Sequence, residues 1–270
     1  MRRLFLSLTI LATLPGLVRA GDAPQPATTD EAALFQEAVQ SSKQDTEHWA
    51  YTETTVVKAS KGGPNGETVV RFDPSKPYAE QFTPLKVEGQ PPTERQLKKY
   101  RERGERRGER VARAAAATTP GSAPPSLHIG GTRVSLDVQH PQVVEAGETQ
   151  VIFEVPLLGA NNDIPVDKFE VRVVVGRASR QVEHVVLRIR ESFRVKLVAK
   201  VKAGEVHIDF AVTDPKFGPV PTSITGDIAV SLLFIPVSAE FNNTRTDWKR
   251  VKSYNERLQV KLGPLEVLDF

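Results

Sequence analysis

The chain has 270 residues, with 36 Lys and Arg against 33 Asp and Glu for a formal charge of +3, and it contains no cysteine. That length suits one large all-β domain or two small ones. The missing cysteine excludes a disulfide framework, thiol catalysis, thiolate metal sites and a lipid anchor of the diacylated type.

Met1-Arg2-Arg3 is a short basic start, and Leu4 to Val18 is dominated by apolar residues. Val18-Arg19-Ala20 then has small residues at its outer and last positions. This pattern predicts a secretory signal over residues 1–20, cleaved near Ala20, and hence a periplasmic or secreted product. The apolar run falls short of the ~20 residues a span needs, and no other stretch is long and apolar enough, so a membrane-spanning protein is not expected. Removing the signal removes Arg2, Arg3 and Arg19 and brings the formal charge of +3 to about zero. The basic balance is therefore no argument for nucleic acid.

Thr28 with Glu31 forms a capping box that opens a helix over about 30–42, with Leu34, Phe35, Ala38 and Val39 on one stripe. Trp49, Tyr51, Thr55 and Val57 alternate as a strand, and Lys61 to Glu67 is a turn. Strands follow over 68–72 and from about residue 80, where Pro84 breaks the alternation and predicts an edge strand or a bulge. Thr93 and Gln96 make a second capping box. The helix it opens passes Leu97 and Tyr100 into a tract with nine basic and four acidic residues over 94–113. Gly104 and Gly108 each weaken a helix by ~1 kcal/mol. Residues 101–126 are accordingly read as mostly disordered, so a charged helix and linker at about 93–126 interrupt a single antiparallel domain over 21–270.

From Leu127 onward the pattern is strand after strand, with candidates at 132–138, 149–156, 168–175, 183–190, 193–202, 205–212, 222–235, 237–247 and 256–262. The longest period-two stretch runs over 185–212. Ala203-Gly204 reads as its two-residue turn, which would oppose Val201 to Val206, Ala199 to Ile208, Leu197 to Phe210, Lys202 to Glu205 and Lys200 to His207. The fold class expected is mainly β, one large curved antiparallel sheet or half-open barrel with an N-terminal helix and an inserted charged helix.

Catalytic signals are lacking. His48, His128, His140, His184 and His207 have no metal-type spacing, no GxSxG stands in the sequence, and no glycine-rich loop lies between a strand and a helix. No catalytic residue, metal or cofactor is expected. The basic tract Arg95–Arg113 reads first as a solvated insertion and second as a contact for an anionic envelope surface. It lacks the interleaved aromatics that stack bases, so no nucleic-acid partner is expected.

WAYTETT, VVRFDPSKP and FTPLKVEGQPPTERQLKKY, with FRVKLVAKV and DPKFGPVP later, resemble a group of uncharacterised exported bacterial proteins. A signal, an N-terminal helix and an antiparallel meander with a helix inserted after the third strand also look like the lipoprotein-carrier superfamily of LolA, LolB and RseB. That resemblance implies a half-open β-barrel with helices in its mouth that binds acyl chains or lipoproteins, and it carries over no functional residue. The leading expectation is a non-enzymatic protein binding a lipid or acylated protein between sheet and helix. The ligand would lie on an apolar face of Trp49, Tyr51, Phe72, Phe82, Phe193, Leu197, Phe210, Leu232 and Phe234. The alternative is a structural or interaction protein of the envelope with a solidly packed sheet, whose basic insertion contacts a partner.

Overall fold

A computed structural model describes residues 24–42, 47–60, 65–116, 126–129, 132–159, 165–195, 199–232 and 235–258. The segment read as a secretory signal lies outside them. The N-terminal part runs β1 (Gln25–Pro26), α1 (Thr29–Ser41), β2 (Trp49–Ala59), β3 (Gly66–Phe72), β4 (Phe82–Lys86) and α2 (Glu94–Ala116). Next come β5 (Ser126–Ile129), β6 (Thr132–Leu136), β7 (Gln142–Ala146), β8 (Gln150–Glu154), β9 (Leu157–Leu158), β10 (Phe169–Gly176) and β11 (Val182–Ile189). The chain continues through β12 (Phe193–Val195), β13 (Ala199–Ala211), β14 (Val220–Leu232), β15 (Ile235–Arg250) and α3 (Tyr254–Leu258).

The protein is mainly β. Twelve strands form one antiparallel sheet in the order β1-β7-β8-β10-β11-β13-β14-β15-β2-β3-β4, with β12 paired on β13, while β5, β6 and β9 form a three-stranded sheet. The two-residue period sorts the large sheet into two faces. One cross-strand row runs Phe153, Val173, Val185, Ile208, Ile224, Asn243, Thr55 and Thr68. A row on the opposite face, three residues along, runs Glu170, Arg188, Glu205, Asp227, Glu240 and Lys58. One face is thus apolar at its β8–β14 end and the other charged.

Both long helices lie on the first face. Leu34, Phe35 and Ala38 of α1 are buried against Val151, Phe153, Val171, Val173 and Val175, with Val185, Leu187 and Phe210 at the margin. The capping box forms as the sequence predicts, with the Thr28 hydroxyl accepting from Glu31 N and the Glu31 carboxylate accepting from Thr28 N. At the other end β4 is the edge strand and carries a bulge at Leu85, between Lys86 opposite Val69 and Pro84 opposite Val70.

Three expectations are corrected. Ala203-Gly204 is not a turn. β13 runs straight through it, pairing Leu187 with Val206 and Val185 with Ile208, while Phe193 pairs with Val201. The register shifts between Val201 and Ala203, and a Cβ on Gly204 would meet Asp227 O at 3.0 Å. That glycine serves a bulge and a close strand approach, the other use of glycine in a strand. Second, 101–116 is not linker, since α2 continues to Ala116; residues 117–125 lie outside the described residues. Third, the strand read over 256–262 begins as the helix α3.

Candidate functional site

Among the described residues, no helix covers the sheet between α1 and α2. Among the residues that β13, β14, β15 and β2 point to the helix-bearing side, Val206, Ile208, Ile224, Phe241 and Val57 are half-buried and Ile228 is 41% exposed, with the hydrogen-bonded pair Asn243 and Thr55 beside them. The ring of Phe241 fills the side of Gly226, where a Cβ would lie 2.8 Å from it. This band is mostly apolar surface beside two well-packed ends.

One of those ends is an aromatic ladder. Phe82 and Phe72 stand 4.9 Å apart between ring centres, Phe72 and Tyr51 5.2 Å, and Tyr51 and Trp248 4.7 Å. Trp248 then meets Trp49 edge-on at 5.9 Å, and Trp49 meets Phe217 edge-on at 5.6 Å. Arginines cap the rings: Arg103 over Phe82 at 4.2 Å, Arg107 over Phe72 at 5.1 Å, Arg245 over Tyr51 at 5.0 Å and Arg250 over Phe217 at 4.1 Å. A cation over a ring face is attracted by the ring quadrupole, by ~0.5–2 kcal/mol as water is excluded. Burial pushes the Tyr51 hydroxyl above its ordinary value, and does the same to Tyr100 on α2.

α2 docks in an unusual way. None of the apolar side chains at 94–113 is fully buried; Leu97, Tyr100 and Val111 are half-buried. What holds the helix is close backbone contact and a part-buried charge. A Cβ on Gly104 would lie 1.8 Å from Tyr78 O, and one on Gly108 2.7 Å from the Tyr78 ring. Arg107, 11% exposed, donates to Gln81 Oε1 at 2.7 Å and pairs with Glu47. Gln81 is fully buried and its amide donates to Lys76 O at 3.0 Å. Thr93 and Gln96 cap the helix start as expected.

The nine residues expected on one ligand face divide into groups. Trp49, Tyr51, Phe72 and Phe82 come together in the ladder. Phe193 packs on Phe169, 5.2 Å away, and Phe210 joins the margin of the α1 cluster. Leu197, Phe234 and the side chain of Leu232 lie outside the described residues. The pattern missed Trp248, because β15 carries a bulge between Thr246 and Lys249 with Asp247 at φ +53°, and simple alternation stops there. It missed Phe217, which stands in a loop, and it gave Arg103 and Arg107 no inward role.

The charged face holds a chain of polar contacts. His184 Nδ1 lies 2.7 Å from Asp209, its Nε2 lies 3.2 Å from His207 Nδ1, and His207 Nε2 lies 3.0 Å from Glu205. Arg188 donates twice to Glu205, at 2.7 and 3.1 Å. That hydrogen bond holds the Glu205 carboxyl below its ordinary value and the Arg188 guanidinium above its own. His207 faces Val186 and Thr225, not Lys200 as the turn at Ala203-Gly204 would have required. An open depression of ≈ 660 Å³ lies beside it, lined among others by Lys58, Asp227, Glu240 and Asn242. No group of three or more His, Asp or Glu suited to a metal stands among the described residues.

No protein-family model matches the chain, and no curated protein matches it. Among solved structures it is similar to the LolA superfamily protein NE2245 from Nitrosomonas europaea, at 11% identity and a TM-score of 0.34, over 84% of this chain and 96% of that one. A likeness of that depth leaves the fold and the function to be argued from the chain itself. Among the described residues no helix is long and apolar enough to cross a membrane.

Proposed function

We propose that this is a non-enzymatic binding protein, exported to the periplasm or secreted, that takes up a lipid or the acyl chain of a lipoprotein on its helix-bearing face between α1 and α2. The observation that carries the reading is the half-buried band of Val206, Ile208, Ile224, Phe241 and Val57, flanked by a helix at each end. Acyl surface laid on it would be removed from water at ~25 cal/mol per Å². α2 is the element suited to move, because it docks through guanidinium-on-ring contacts and one part-buried ion pair, not through an apolar stripe. Displacing it would extend the band to Phe72 and Phe82. The test is titration of the mature chain with an apolar fluorophore such as N-phenylnaphthylamine, with fatty acid as competitor. Saturable, competed binding is expected; no enhancement at micromolar protein contradicts the reading.

A second reading rests on α2's outer surface, where Arg95, Lys98, Lys99, Arg106, Arg110 and Arg113 are exposed. In it the protein is an interaction module of the envelope, and the helix contacts an anionic surface. Replacing Lys98 and Lys99 by Gln separates the two: fluorophore binding survives under the first reading, and partner contact is lost under the second.

A further inference from the structure

His184 on β11 and His207 on β13 project from the charged side of the sheet, since their neighbours Val185 and Ile208 turn to the helix-bearing side. The two lie diagonally across the strand pair, with His184 opposite Asp209 and His207 opposite Val186. They stand 23 residues apart in the chain, so local spacing gives no sign that they meet.

Four side chains run in a line. Asp209 lies 2.7 Å from His184 Nδ1, His184 Nε2 lies 3.2 Å from His207 Nδ1, and His207 Nε2 lies 3.0 Å from Glu205. Each of these three contacts needs one hydrogen between its two atoms. A carboxylate only accepts, and a neutral imidazole carries one N–H. Two neutral rings therefore supply two hydrogens for three contacts, whichever tautomer each adopts. Charge-assisted bonds to the carboxylates are the stronger ones, so both hydrogens go to the ends and the shortage falls between the rings. Two nitrogen lone pairs then face each other at 3.2 Å, and a cation satisfies both.

We propose that this pair is a binding site for a first-row divalent transition ion such as Zn2+, held by His184 Nε2 and His207 Nδ1 with water completing the shell. Imidazole nitrogens ~2.0–2.1 Å from zinc at a tetrahedral angle stand about 3.3 Å apart. The two here are at 3.2 Å, with ring centres 5.3 Å apart, so the rings meet at their nitrogen edges and not face to face. A metal-bound histidine ordinarily gives its other N–H to a carboxylate, and Asp209 and Glu205 already hold those places. Arg188 fixes Glu205 in turn through hydrogen bonds of 2.7 and 3.1 Å. The histidine side chains are 28% and 40% exposed, which gives the ion a path from solvent. Imidazole suits Zn2+, Cu2+ and Ni2+, whereas Mg2+ and Ca2+ prefer oxygen ligands. Two protein ligands make a weaker site than the clusters of three or more that are lacking among the described residues. The ion ties β11 to β13 on the side of the sheet away from the apolar band, so the proposal does not rest on lipid binding.

The experiment is calorimetric titration of the mature chain, without an affinity tag, with zinc chloride, alongside NMR of the histidine rings. The wild type takes up one Zn2+ per chain, and the ring signals of His184 and His207 move together. His184→Gln and His207→Gln each abolish the uptake. Asp209→Asn, which keeps the shape and loses the charge, weakens it by ~10–100-fold. His140→Gln, at the separate surface pair with Asp137, leaves it unchanged. All four variants keep the wild-type circular dichroism. No zinc uptake at submillimolar metal overturns the proposal, as does uptake that survives His184→Gln and His207→Gln together. Ring signals that respond to pH and not to zinc also overturn it, by making the missing cation a proton only.

Discussion

Substituting Gly104 by Ala sets two effects against each other. In an exposed helix the change stabilises by ~1 kcal/mol, because Ala is the better helix former. Here the new Cβ would stand 1.8 Å from Tyr78 O and 2.8 Å from Tyr78 C, both backbone atoms. Carbon atoms in contact sit about 3.5 Å apart, so α2 must rise by roughly 1.5 Å. That shift breaks the 2.7 Å bond from Arg107 to Gln81 Oε1 and lifts Arg103 from Phe82. Overpacking of this kind costs ~1–3 kcal/mol and the lost charged hydrogen bond ~1.5–3, which together exceed the propensity gain. Gly104→Ala should therefore destabilise by about 2 kcal/mol in urea melts and speed hydrogen exchange across α2. Gly108→Ala, which meets the movable Tyr78 ring, should cost less. A Gly104→Ala variant that is more stable than wild type, with α2 still protected, would refute the docking described here.

Arg107→Met leaves Glu47 and the buried Gln81 carbonyl without their cation and should cost about 2–4 kcal/mol, read from urea midpoints. Thr28→Ala removes the cap of α1 and should cost ~1 kcal/mol. It should also raise the pKa of Glu31, which the Thr28 hydrogen bonds hold down, as carbon-detected NMR titration would show. Glu205 is likewise held below its ordinary value near 4.5, by Arg188. A depressed carboxyl contributes stability above its unfolded value and loses it as pH falls through the folded one. Stability should therefore decline below about pH 4.5, and Glu205→Gln should flatten that acid limb; an unchanged limb would assign it elsewhere.

Strand content was legible because one face of each strand is buried, so period two shows wherever the packing is one-sided. Phe153, Val173, Val185 and Ile208 each sit in such an alternation and form one row. Pairing was less legible. Ala203-Gly204 has the composition of a turn, and only the approach of Asp227 on β14 tells that Gly204 serves a bulge. The neighbours of β2 are β3, next in sequence, and β15, nearly two hundred residues later, a partnership with no local signature. The sequence shortens α2 because Gly104 and Gly108 weaken a helix locally, whereas in the fold they are what lets it reach Tyr78. At the candidate site, aromatic strand residues were visible and their arginine caps were not. A guanidinium on an amphipathic helix reads as solvated until the ring beneath it is known.

Extraction and mass spectrometry of lipids from the mature chain, purified from cells without detergent, tests the central claim most directly, with Phe241→Lys as comparison. The account predicts stoichiometric acyl lipid on the wild type and little on the variant, whose new charge lies beside Gly226 in the apolar band. Equal, trace amounts of lipid on both, from correctly folded protein, would contradict it.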